Sequence, residues 1–364
     1  MKILIISPGY PPARLVGGVE IHVKELAERL AKDNNVEVYT MDGVTISAQK
    51  DILNGVKVIR FKPITLGKTI LRIPPPQMLH SIRNSGADII HAHNIQTLVP
   101  FFAYLGSKKS QFVITTHYSG TNSTRLRKIL FQKYKPLLHY CLDKASRIIC
   151  VSEVEKENIT RDFKVYNKKI TIIPNGVRTF TSGHVGRRNT GEFRILYVGR
   201  LDFPSKKIDK LIEAFALINR NDFRLVMIGD GPDRKNIIRM IDHLKILDRV
   251  EMILNASEKE LANEYHKADL FVMLSPHESF GIAVREALAA GIKAIVSKSG
   301  ATEELASKNY AYGIDPPVTP EKIAEAILEV NRRKIQFNKY FDYYSWESVA
   351  TALCKEYRIV INQR

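Results

Sequence analysis

The feature that most constrains the fold of this chain is a regular alternation of short apolar runs, rich in β-branched residues, with amphipathic helical segments. In the first half, strands are predicted over residues 3–7, 36–41, 56–61, 89–93, 112–116 and 148–152. In the second half, strands are predicted over 194–198, 224–229, 250–254, 270–274 and 294–297, and helices over 208–218, 258–266, 282–290 and 320–331. This βαβ rhythm is typical of parallel, doubly wound sheets and predicts an α/β protein.

A polar stretch interrupts the rhythm near the middle of the chain. Residues 178–192 contain few apolar side chains and several Gly and Arg residues, a composition typical of a linker. A chain of 364 residues is also longer than one hydrophobic core usually supports. We therefore predict two Rossmann-like domains facing each other across a cleft, the first over residues 1–185 and the second over 190–344.

The charge of the chain predicts an anionic partner. It contains 55 Lys plus Arg against 38 Asp plus Glu, a formal net charge of +17. Residues 1–176 contain 26 basic and 13 acidic residues, whereas residues 177–364 contain 29 and 25, so most of the excess lies in the first half. Nucleic acid, a phospholipid surface and a phosphorylated substrate all fit such an excess.

Cysteine content and hydropathy predict a cytoplasmic protein. Three cysteines without a C-x-x-C pair indicate neither a zinc site nor a disulfide framework. The apolar start MKILIIS is typical of a short strand rather than a signal peptide, and no run of about 18 apolar residues occurs. We expect a chain that does not span a membrane, and peripheral attachment to the cytoplasmic membrane face stays open.

Two glutamates, Glu278 and Glu286, stand in an E-x7-E spacing where a predicted strand runs into a predicted helix. Glu278 precedes the helix, near the positive end of its dipole, and Glu286 lies about two turns along it. A carboxylate accepts hydrogen bonds from sugar hydroxyls, and the amides of Ser279, Phe280 and Gly281 can donate to phosphate or hydroxyl oxygens. The segment predicts a site for a phosphorylated, polyhydroxylated ligand, although the spacing alone is as typical of an acidic, solvent-facing helix start.

Glycine and basic residues at other predicted strand ends also suit phosphate. Gly17 and Gly18 open an amphipathic helix and let the backbone approach a phosphate closely, though paired glycines are ordinary in turns. Arg200 follows the strand 194–198, and Lys206 stands at the next helix start. The planar guanidinium of Arg200 and the ammonium group of Lys206 both suit diphosphate oxygens. The alternative is that both are solvated surface residues. The G-x-G-x-x-G fingerprint is not completed, which disfavours a nicotinamide enzyme.

Three histidines fall at two neighbouring strand ends, His91 and His93 in one and His117 just after the next. Histidine is the commonest metal ligand. However, no carboxylate or cysteine joins these residues at ligand spacing, and the chain has no D-x-D motif for a metal-bound sugar nucleotide. We predict ligand contact by His117 and no metal site, with a purely structural histidine as the alternative.

Together these residues resemble the GT-B fold glycosyltransferases of family GT4, and the likeness covers essentially the whole chain. The matching motifs, in chain order, are G-G-x-E-x-H at 17–22, H-A-H-N at 91–94, T-T-H at 115–117, V-S-E at 151–153, P-N-G-V at 174–177, V-G-R-L at 198–201, I-G-D-G-P at 228–232, E-S-F-G at 278–281 and Y-S-W-E at 344–347. The resemblance implies transfer of a hexose from a UDP- or GDP-linked sugar to a hydroxyl, with retention at the anomeric carbon and without a metal or other cofactor. It also implies that the closing helix, 345–364, returns to the first domain.

Position by position, the resemblance implies roles for the donor-side residues. It assigns the donor diphosphate to Arg200 and Lys206, and the ribose hydroxyls to Glu286. It assigns the donor sugar to Glu278 and the amides that follow it. Fixed cations at the diphosphate would stabilise the leaving group directly, and a proton passed to the donor's own phosphate would account for the lack of an obvious base.

The resemblance assigns Gly18 to the donor phosphate and His117 to the sugar or the acceptor. Two departures from the family pattern stand out. Lys207 occupies a place where the family usually has Gly, so the sequence does not decide whether Lys206 or Lys207 contacts the diphosphate. Residues 274–276, Leu-Ser-Pro, replace the Pro-Ser expected ahead of E-S-F-G.

The basic residues of the first half suggest a membrane surface. Residues 122–140 mix five cations with apolar residues, a pattern that fits a helix lying on anionic headgroups or an ordinary helix packed in the core. A second basic stretch contains Lys57, Arg60, Lys62, Lys68 and Arg72. We hypothesise an anionic membrane surface and a lipid-linked or glycan acceptor, with a soluble acceptor as the alternative.

Two rival classes stay open at this stage. A nucleic-acid-binding protein would explain the charge, but no known module or aromatic stacking strip is present, so no nucleic-acid partner is expected. A GT-B protein that is not a transferase, such as an epimerase-like or inactive relative, would keep the fold with altered site residues. Arg200, Lys206 and Glu286 are all retained, which favours an active transferase.

Overall fold

The computed structural model describes residues 1–13, 17–66, 71–120, 125–165, 167–180, 191–332, 337–338 and 341–363. The strands are β1 (Lys2–Ser7), β2 (Asn35–Thr40), β3 (Gln49–Leu53), β4 (Val56–Arg60), β5 (Ile64–Leu66), β6 (Leu71–Ile73), β7 (Ile89–His93), β8 (Gln111–Thr115), β9 (Arg147–Cys150), β10 (Ile170–Ile172), β11 (Phe193–Val198), β12 (Phe223–Ile228), β13 (Val250–Ile253), β14 (Leu270–Met273), β15 (Lys293–Ser297) and β16 (Tyr312–Ile314).

The α-helices are α1 (Gly18–Leu30), α2 (Pro76–Arg83), α3 (Val99–Gly106), α4 (Arg125–Lys144), α5 (Glu153–Phe163), α6 (Phe203–Lys206), α7 (Ile208–Leu217), α8 (Arg234–His243), α9 (Glu258–Lys267), α10 (Ile282–Ala289), α11 (Glu303–Ser307), α12 (Pro320–Arg332) and α13 (Trp346–Asn362). Short 3-10 helices cover Asn167–Lys169, Leu247–Arg249 and Gly300–Thr302. Among the described residues, no helix combines the length and apolar character needed to cross a bilayer.

The chain divides into two compact units. The first contains Met1–Gly176 together with Tyr344–Arg364, and the second contains Val177–Tyr343. The predicted linker, 178–192, begins inside the second unit, and its residues 181–190 lie outside the described residues. The closing helix α13 belongs to the first unit, where Nε of Arg29 in α1 lies 2.8 Å from Oε1 of Glu347 in α13.

The first unit is built on a sheet with the strand order β10-β9-β8-β7-β1-β2-β4-β3. All of its pairs are parallel except β3 with β4. Its central strands β1 and β7 are buried on both faces, and β1 is accordingly a continuous apolar run, while β7 also buries two histidines. The second strand in the chain lies on one side of β1 and β7 lies on the other, so the order of winding reverses at β1.

The second unit is built on a parallel sheet with the strand order β13-β12-β11-β14-β15-β16. Here the reversal lies between β11 and β14, because the chain adds β12 and β13 on one side of β11 before it returns to the other. Local sequence fixes the helix starts. Ser257, for example, accepts from the amide of Glu260 at 3.2 Å, and Glu260 accepts from the amide of Ser257 at 2.9 Å, which is a capping box.

The α/β prediction and the parallel sheets are confirmed, and each strand and helix predicted in the two halves is present within one or two residues. The strands that were not predicted are β3, β5, β6, β10 and β16. All five are three residues long or lie at a sheet edge with exposed side chains, so their sequences have too little apolar periodicity to be recognised. Ile52 in β3, for instance, is 81% exposed.

Candidate active site

The predicted diphosphate and sugar residues of the second unit meet at its winding reversal. Arg200 follows β11 and Glu278 follows β14, the two strands that flank the reversal. Nζ of Lys206, at the end of α6, lies 2.8 Å from Oε2 of Glu278 and 3.3 Å from Oγ of Ser275. Ligands of doubly wound sheets bind at this point, outside the carboxyl ends of the strands. The arrangement is a basic and acidic cluster suited to a phosphorylated, hydroxylated ligand.

Arg200 and Lys206 differ in their surroundings. Arg200 is exposed, and its guanidinium forms no ion pair with the residues that the structure describes. Lys206 is half-buried and is paired with Glu278. Both residues lie in the segment between β11 and α7, so both bring positive charge to the loops at the carboxyl end of β11.

Lys207 explains the departure from the family pattern. Its φ is +55°, in the left-handed region, where it ends α6 and begins α7. Glycine adopts that conformation without strain, whereas Lys does so at a cost. The structure brings the side chain of Lys206, not Lys207, to Glu278.

The loop that follows β15 packs against the backbone of Glu278 and fixes its position. The amide of Ala301 donates to the carbonyl oxygen of Glu278 at 2.9 Å. Gly300 has a φ of +59°, and a Cβ at that position would stand 2.6 Å from the same carbonyl oxygen. Only glycine therefore allows the two loops to approach this closely.

The segment between Glu278 and α10 includes the predicted amide donors Ser279, Phe280 and Gly281. Gly281 stands at the start of α10 with a φ of +80°. Phe280 is buried, and the guanidinium of Arg285 lies 4.3 Å from its ring centroid and donates to its carbonyl oxygen at 3.1 Å. These contacts fix the loop that carries Glu278 against the start of the helix.

Glu286 lies on α10 as predicted, but its carboxylate is buried and already has protein partners. Nε of Arg178 lies 2.7 Å from Oε1 of Glu286, and the hydroxyl of Tyr265 donates to Oε2 at 3.1 Å. The Tyr265 ring stacks on Phe180 with centroids 4.8 Å apart. Sequence reasoning missed Arg178 and Tyr265, because Arg178 stands in the predicted linker, 108 residues from Glu286, with no motif that connects them.

In the first unit, the structure gathers histidines from three elements. His22 of α1, His93 of β7 and His117 after β8 are all buried, and their ring centroids lie 4.7 to 5.4 Å apart. Nδ1 of His93 lies 3.2 Å from Nε2 of His117. Burial lowers the pKa of His22 to about 4 and the pKa values of His93 and His117 well below the usual range. All three imidazoles are therefore neutral at neutral pH.

His91 was predicted beside this group but has a different role. Its Nδ1 lies 2.6 Å from the hydroxyl of Tyr357 in α13, and its Nε2 lies 2.7 Å from Oγ1 of Thr115. Burial lowers its pKa to about 3. His91 therefore connects β7 to β8 and to the closing helix, whereas His22, which was quoted only as part of a motif, joins His93 and His117.

The backbone at His117 is left-handed, with a φ of +48°, and a buried carboxylate holds the loop. Glu155 accepts from Oγ1 of Thr116 at 2.6 Å and from the amide of Val151 at 2.5 Å, and it also accepts from the amide of Tyr118. Burial raises the pKa of Glu155 to about 7, although these hydrogen bonds lower it. Glu155 therefore fixes the residues on both sides of His117.

Gly17 and Gly18 begin α1 as predicted, and Arg14 to Val16 lie outside the described residues. The amide of Gly17 donates to Oε2 of Glu20 at 2.9 Å. The Gly17 amide, part of the backbone expected to approach a phosphate, therefore caps the start of α1 in this structure.

The motif P-N-G-V has a structural explanation in the first unit. Oδ1 of Asn175 lies 2.7 Å from Nδ1 of His22, and a Cβ on Gly176 would stand 2.4 Å from the Trp346 ring. Asn175 therefore orients His22, and Gly176 leaves room for the buried tryptophan that begins α13.

The basic stretch from Lys57 to Arg72 was interpreted as a surface for anions. That interpretation is wrong for Arg60 and is weakened for Lys57 and Arg72. Arg60 is buried, and its Nη1 lies 2.7 Å from Oδ2 of Asp42. Lys57 is paired with Glu37 at 3.1 Å, and Arg72 donates to a backbone carbonyl, that of Met41. These cations balance nearby protein groups, and Lys68 lies outside the described residues.

The described apolar residues of the predicted basic helix divide between the core and the surface. In α4, Phe131, Leu138, Cys141 and Leu142 are buried in the core of the first unit, whereas Ile129 is 49% exposed. Residues 122–124 of that prediction lie outside the described residues. The core-packing alternative therefore holds for Phe131 and Leu138, whereas Cys141 and Leu142 lie just beyond the predicted segment.

Comparison with known proteins gives the family. Residues 183–345 match the family described as glycosyl transferases group 1, and residues 16–179 match the family described as glycosyltransferase family 4. The chain belongs to the group 1 glycosyltransferases. It is therefore a transferase enzyme, and the predicted family resemblance is confirmed.

Individual relatives of this glycosyltransferase span its full length. An uncharacterized glycosyltransferase of Methanocaldococcus jannaschii is 28% identical over 99% of both chains. A GDP-mannose:cellobiosyl-diphosphopolyprenol alpha-mannosyltransferase of Xanthomonas campestris is 26% identical over 100% of this chain and 95% of that protein. The solved sucrose-phosphate synthase of Thermosynechococcus elongatus superposes with a TM-score of 0.81 at 21% identity over 100% of both chains. The GT-B fold is thereby confirmed.

Proposed function

We propose that this glycosyltransferase moves a hexose from a UDP- or GDP-linked sugar to a hydroxyl of a lipid-linked acceptor, with retention at the anomeric carbon and without a metal. The observation that carries the proposal is the contact between Lys206 and Glu278 at the winding reversal of the second sheet, where Arg200 follows the neighbouring strand β11. This contact joins a phosphate-binding cation to a sugar-binding carboxylate.

Arg200 and Lys206 bind the donor diphosphate in this proposal. Negative charge develops on the diphosphate as the glycosidic bond breaks, and fixed cations at that position stabilise the transition state more than the ground state. Lys206 shares its charge with Glu278 in the absence of ligand, so donor binding exchanges part of that ion pair for phosphate contacts.

Glu278 and Glu286 bind hydroxyl groups of the donor. Glu278 lies in a loop fixed by Ala301 and the start of α10, which suits it to hold the hexose in one orientation. Glu286 accepts from the ribose hydroxyls. Its carboxylate is kept in place by Arg178 and Tyr265, and donor binding would exchange part of these contacts for hydrogen bonds from the ribose hydroxyls.

Retention follows if the acceptor hydroxyl attacks the anomeric carbon from the face that the diphosphate leaves. The acceptor proton then passes to the departing phosphate, and the new C–O bond forms as the old one breaks. His117 contacts the sugar or the acceptor through a neutral imidazole, whose nitrogen can accept or donate one hydrogen bond.

Two observations favour a lipid-linked acceptor. The Xanthomonas relative is named for transfer to a cellobiosyl-diphosphopolyprenol. The first half of the chain also has the larger excess of basic residues, which suits a phosphorylated lipid or an anionic membrane surface. A soluble acceptor is the alternative that the experiment must separate.

The test measures nucleoside diphosphate release from UDP-, GDP- and ADP-sugars in EDTA, with and without a membrane lipid extract. We expect lipid-stimulated release from one donor, and loss of that release in Lys206→Ala and Glu286→Ala but not in the matched variant Lys207→Ala. NMR of the product gives the anomeric configuration. An inverted product refutes retention, dependence on added Mg²⁺ or Mn²⁺ refutes metal-independence, and release that lipid extract does not stimulate favours a soluble acceptor.

A further inference from the structure

Three histidines converge in the first unit, although the proposed function uses only His117 to contact the sugar or the acceptor. His22, His93 and His117 each place a ring nitrogen within 4.8 Å of those of the other two. They come from α1, from β7 and from the loop after β8, so their convergence depends on the packing of three separate elements. All three side chains are buried.

Two of the nitrogens already stand at the spacing of ligands on one ion. Nδ1 of His93 lies 3.2 Å from Nε2 of His117. With Zn–N bonds of about 2.0–2.1 Å, two ligands of a tetrahedral zinc ion are about 3.3 Å apart. Metal–nitrogen bonds would replace the hydrogen bond between these two imidazoles, with a small rotation of each ring toward the ion.

His22 supplies the third nitrogen in an orientation fixed by its neighbour. Its Nδ1 lies 2.7 Å from Oδ1 of Asn175, so the ring proton resides on Nδ1 and the lone pair on Nε2. That Nε2 is buried and has no hydrogen-bond partner among the described residues. A metal-ligating histidine ordinarily donates its other N–H to an oxygen acceptor in this way.

The chemistry of the group also suits a metal ion. Imidazole nitrogens in their neutral form are ligands that Zn²⁺ prefers in proteins. His91, whose ring lies 4.2 Å from that of His93, is excluded because both of its nitrogens are bonded to hydroxyl groups.

We propose that His22, His93 and His117 bind one divalent transition-metal ion of the Zn²⁺ type, with water as the fourth ligand. Three imidazoles and an open position are a known ligand set for zinc. The ion is not part of the transfer proposed above. If His117 contacts the sugar, as the proposed function requires, the ion withdraws its nitrogen and inhibits transfer.

The first experiment titrates the metal-free full-length protein with Co²⁺ and records its visible absorption, followed by displacement with Zn²⁺. We expect one equivalent of Co²⁺ with the intense bands of a tetrahedral site. We expect His22→Asn and His117→Asn to abolish the bands, and the exposed-site control His139→Asn to keep them. Asn175→Ala should weaken the affinity about 10- to 100-fold.

Thermal unfolding of each variant identifies those that fold, and two ligand variants are used so that one unstable protein does not decide the result. Absence of tetrahedral bands in the wild type, or unchanged bands in a folded ligand variant, overturns the proposal. This readout does not depend on activity, so it stands even if no donor is found. Where transfer is observed, Zn²⁺ should inhibit the wild type and inhibit His22→Asn at least about tenfold less.

Discussion

Nε of Arg178 lies 2.7 Å from Oε1 of Glu286, so the first residues of the second unit are joined to the carboxylate of α10. Glu286 is 2% exposed, and a carboxylate so deeply buried needs a cation or several hydrogen bonds to stay charged. The ion pair therefore couples the residue expected to bind ribose to a segment whose sequence is typical of a linker.

Arg178→Ala should destabilise the second unit. The substitution removes the guanidinium from the buried carboxylate of Glu286. The loss of one partner from a buried ion pair costs about 3–5 kcal/mol, less here because Arg178 is 19% exposed. We expect the free energy of unfolding to fall by about 2–3 kcal/mol in urea titrations. Arg178→Lys should recover part of the loss, and an unchanged midpoint in Arg178→Ala would contradict the role.

Substitutions of Lys206 and Lys207 should have different effects, the first on donor affinity and the second on stability. Lys206→Ala removes the cation beside Glu278 and should weaken nucleotide-sugar affinity at least about tenfold, since charge-assisted hydrogen bonds contribute about 1.5–3 kcal/mol. Lys207→Gly removes the strain of a left-handed backbone and should stabilise the protein by about 1 kcal/mol. It should leave the affinity for the nucleotide-sugar donor unchanged. Calorimetric titration and urea unfolding measure the two effects, and reversed behaviour of the two variants would assign the diphosphate to Lys207.

Gly300→Ala should displace the loop of Glu278. The new Cβ would stand 2.6 Å from the Glu278 carbonyl oxygen, in addition to the strain of a φ of +59°. Gly291→Ala is the matched control, because its φ is +76° and no atom lies within 4 Å of the added Cβ. We expect both variants to lose about 1 kcal/mol from left-handed strain. Only Gly300→Ala should lose further stability and bind the donor more weakly than the wild type. Equal melting temperatures and donor affinities for the two variants would refute the clash.

Glu155 should make stability depend on pH. Burial raises its pKa from 4.5 to about 7, so the folded protein holds this proton more tightly than the unfolded chain. The stability contributed by the proton is complete below pH 4.5 and is lost as the pH rises to about 7, which amounts to about 3 kcal/mol at about 1.4 kcal/mol per pKa unit.

The comparison that isolates this effect is urea unfolding of the wild type and Glu155→Gln between pH 4.5 and 7.5. The Gln side chain cannot titrate, so the stability of the wild type relative to the variant should fall as the pH rises. Parallel profiles for the two proteins would show that Glu155 does not titrate in this range.

Much of the fold was accessible from local sequence. A strand such as β7 is buried on both faces, and its bounds, Ile89–His93, were predicted without error. The exposed edge strand β3 was missed, because its pairing with β4 gives it extended structure that its own residues do not signal. The basic stretch was misinterpreted for a similar reason, since composition cannot show that Arg60 is buried against Asp42.

The sequence by itself determined the two doubly wound units, the family, and the strand ends at which Arg200, Glu278 and His117 stand. These follow from hydrophobic periodicity and from motifs a few residues long. The tertiary structure alone decided which side chains meet: Arg178 with Glu286, and His22 rather than His91 with His117. Such contacts join residues far apart in the chain, and the direction of each side chain is set by the packing of whole elements, which no local pattern records.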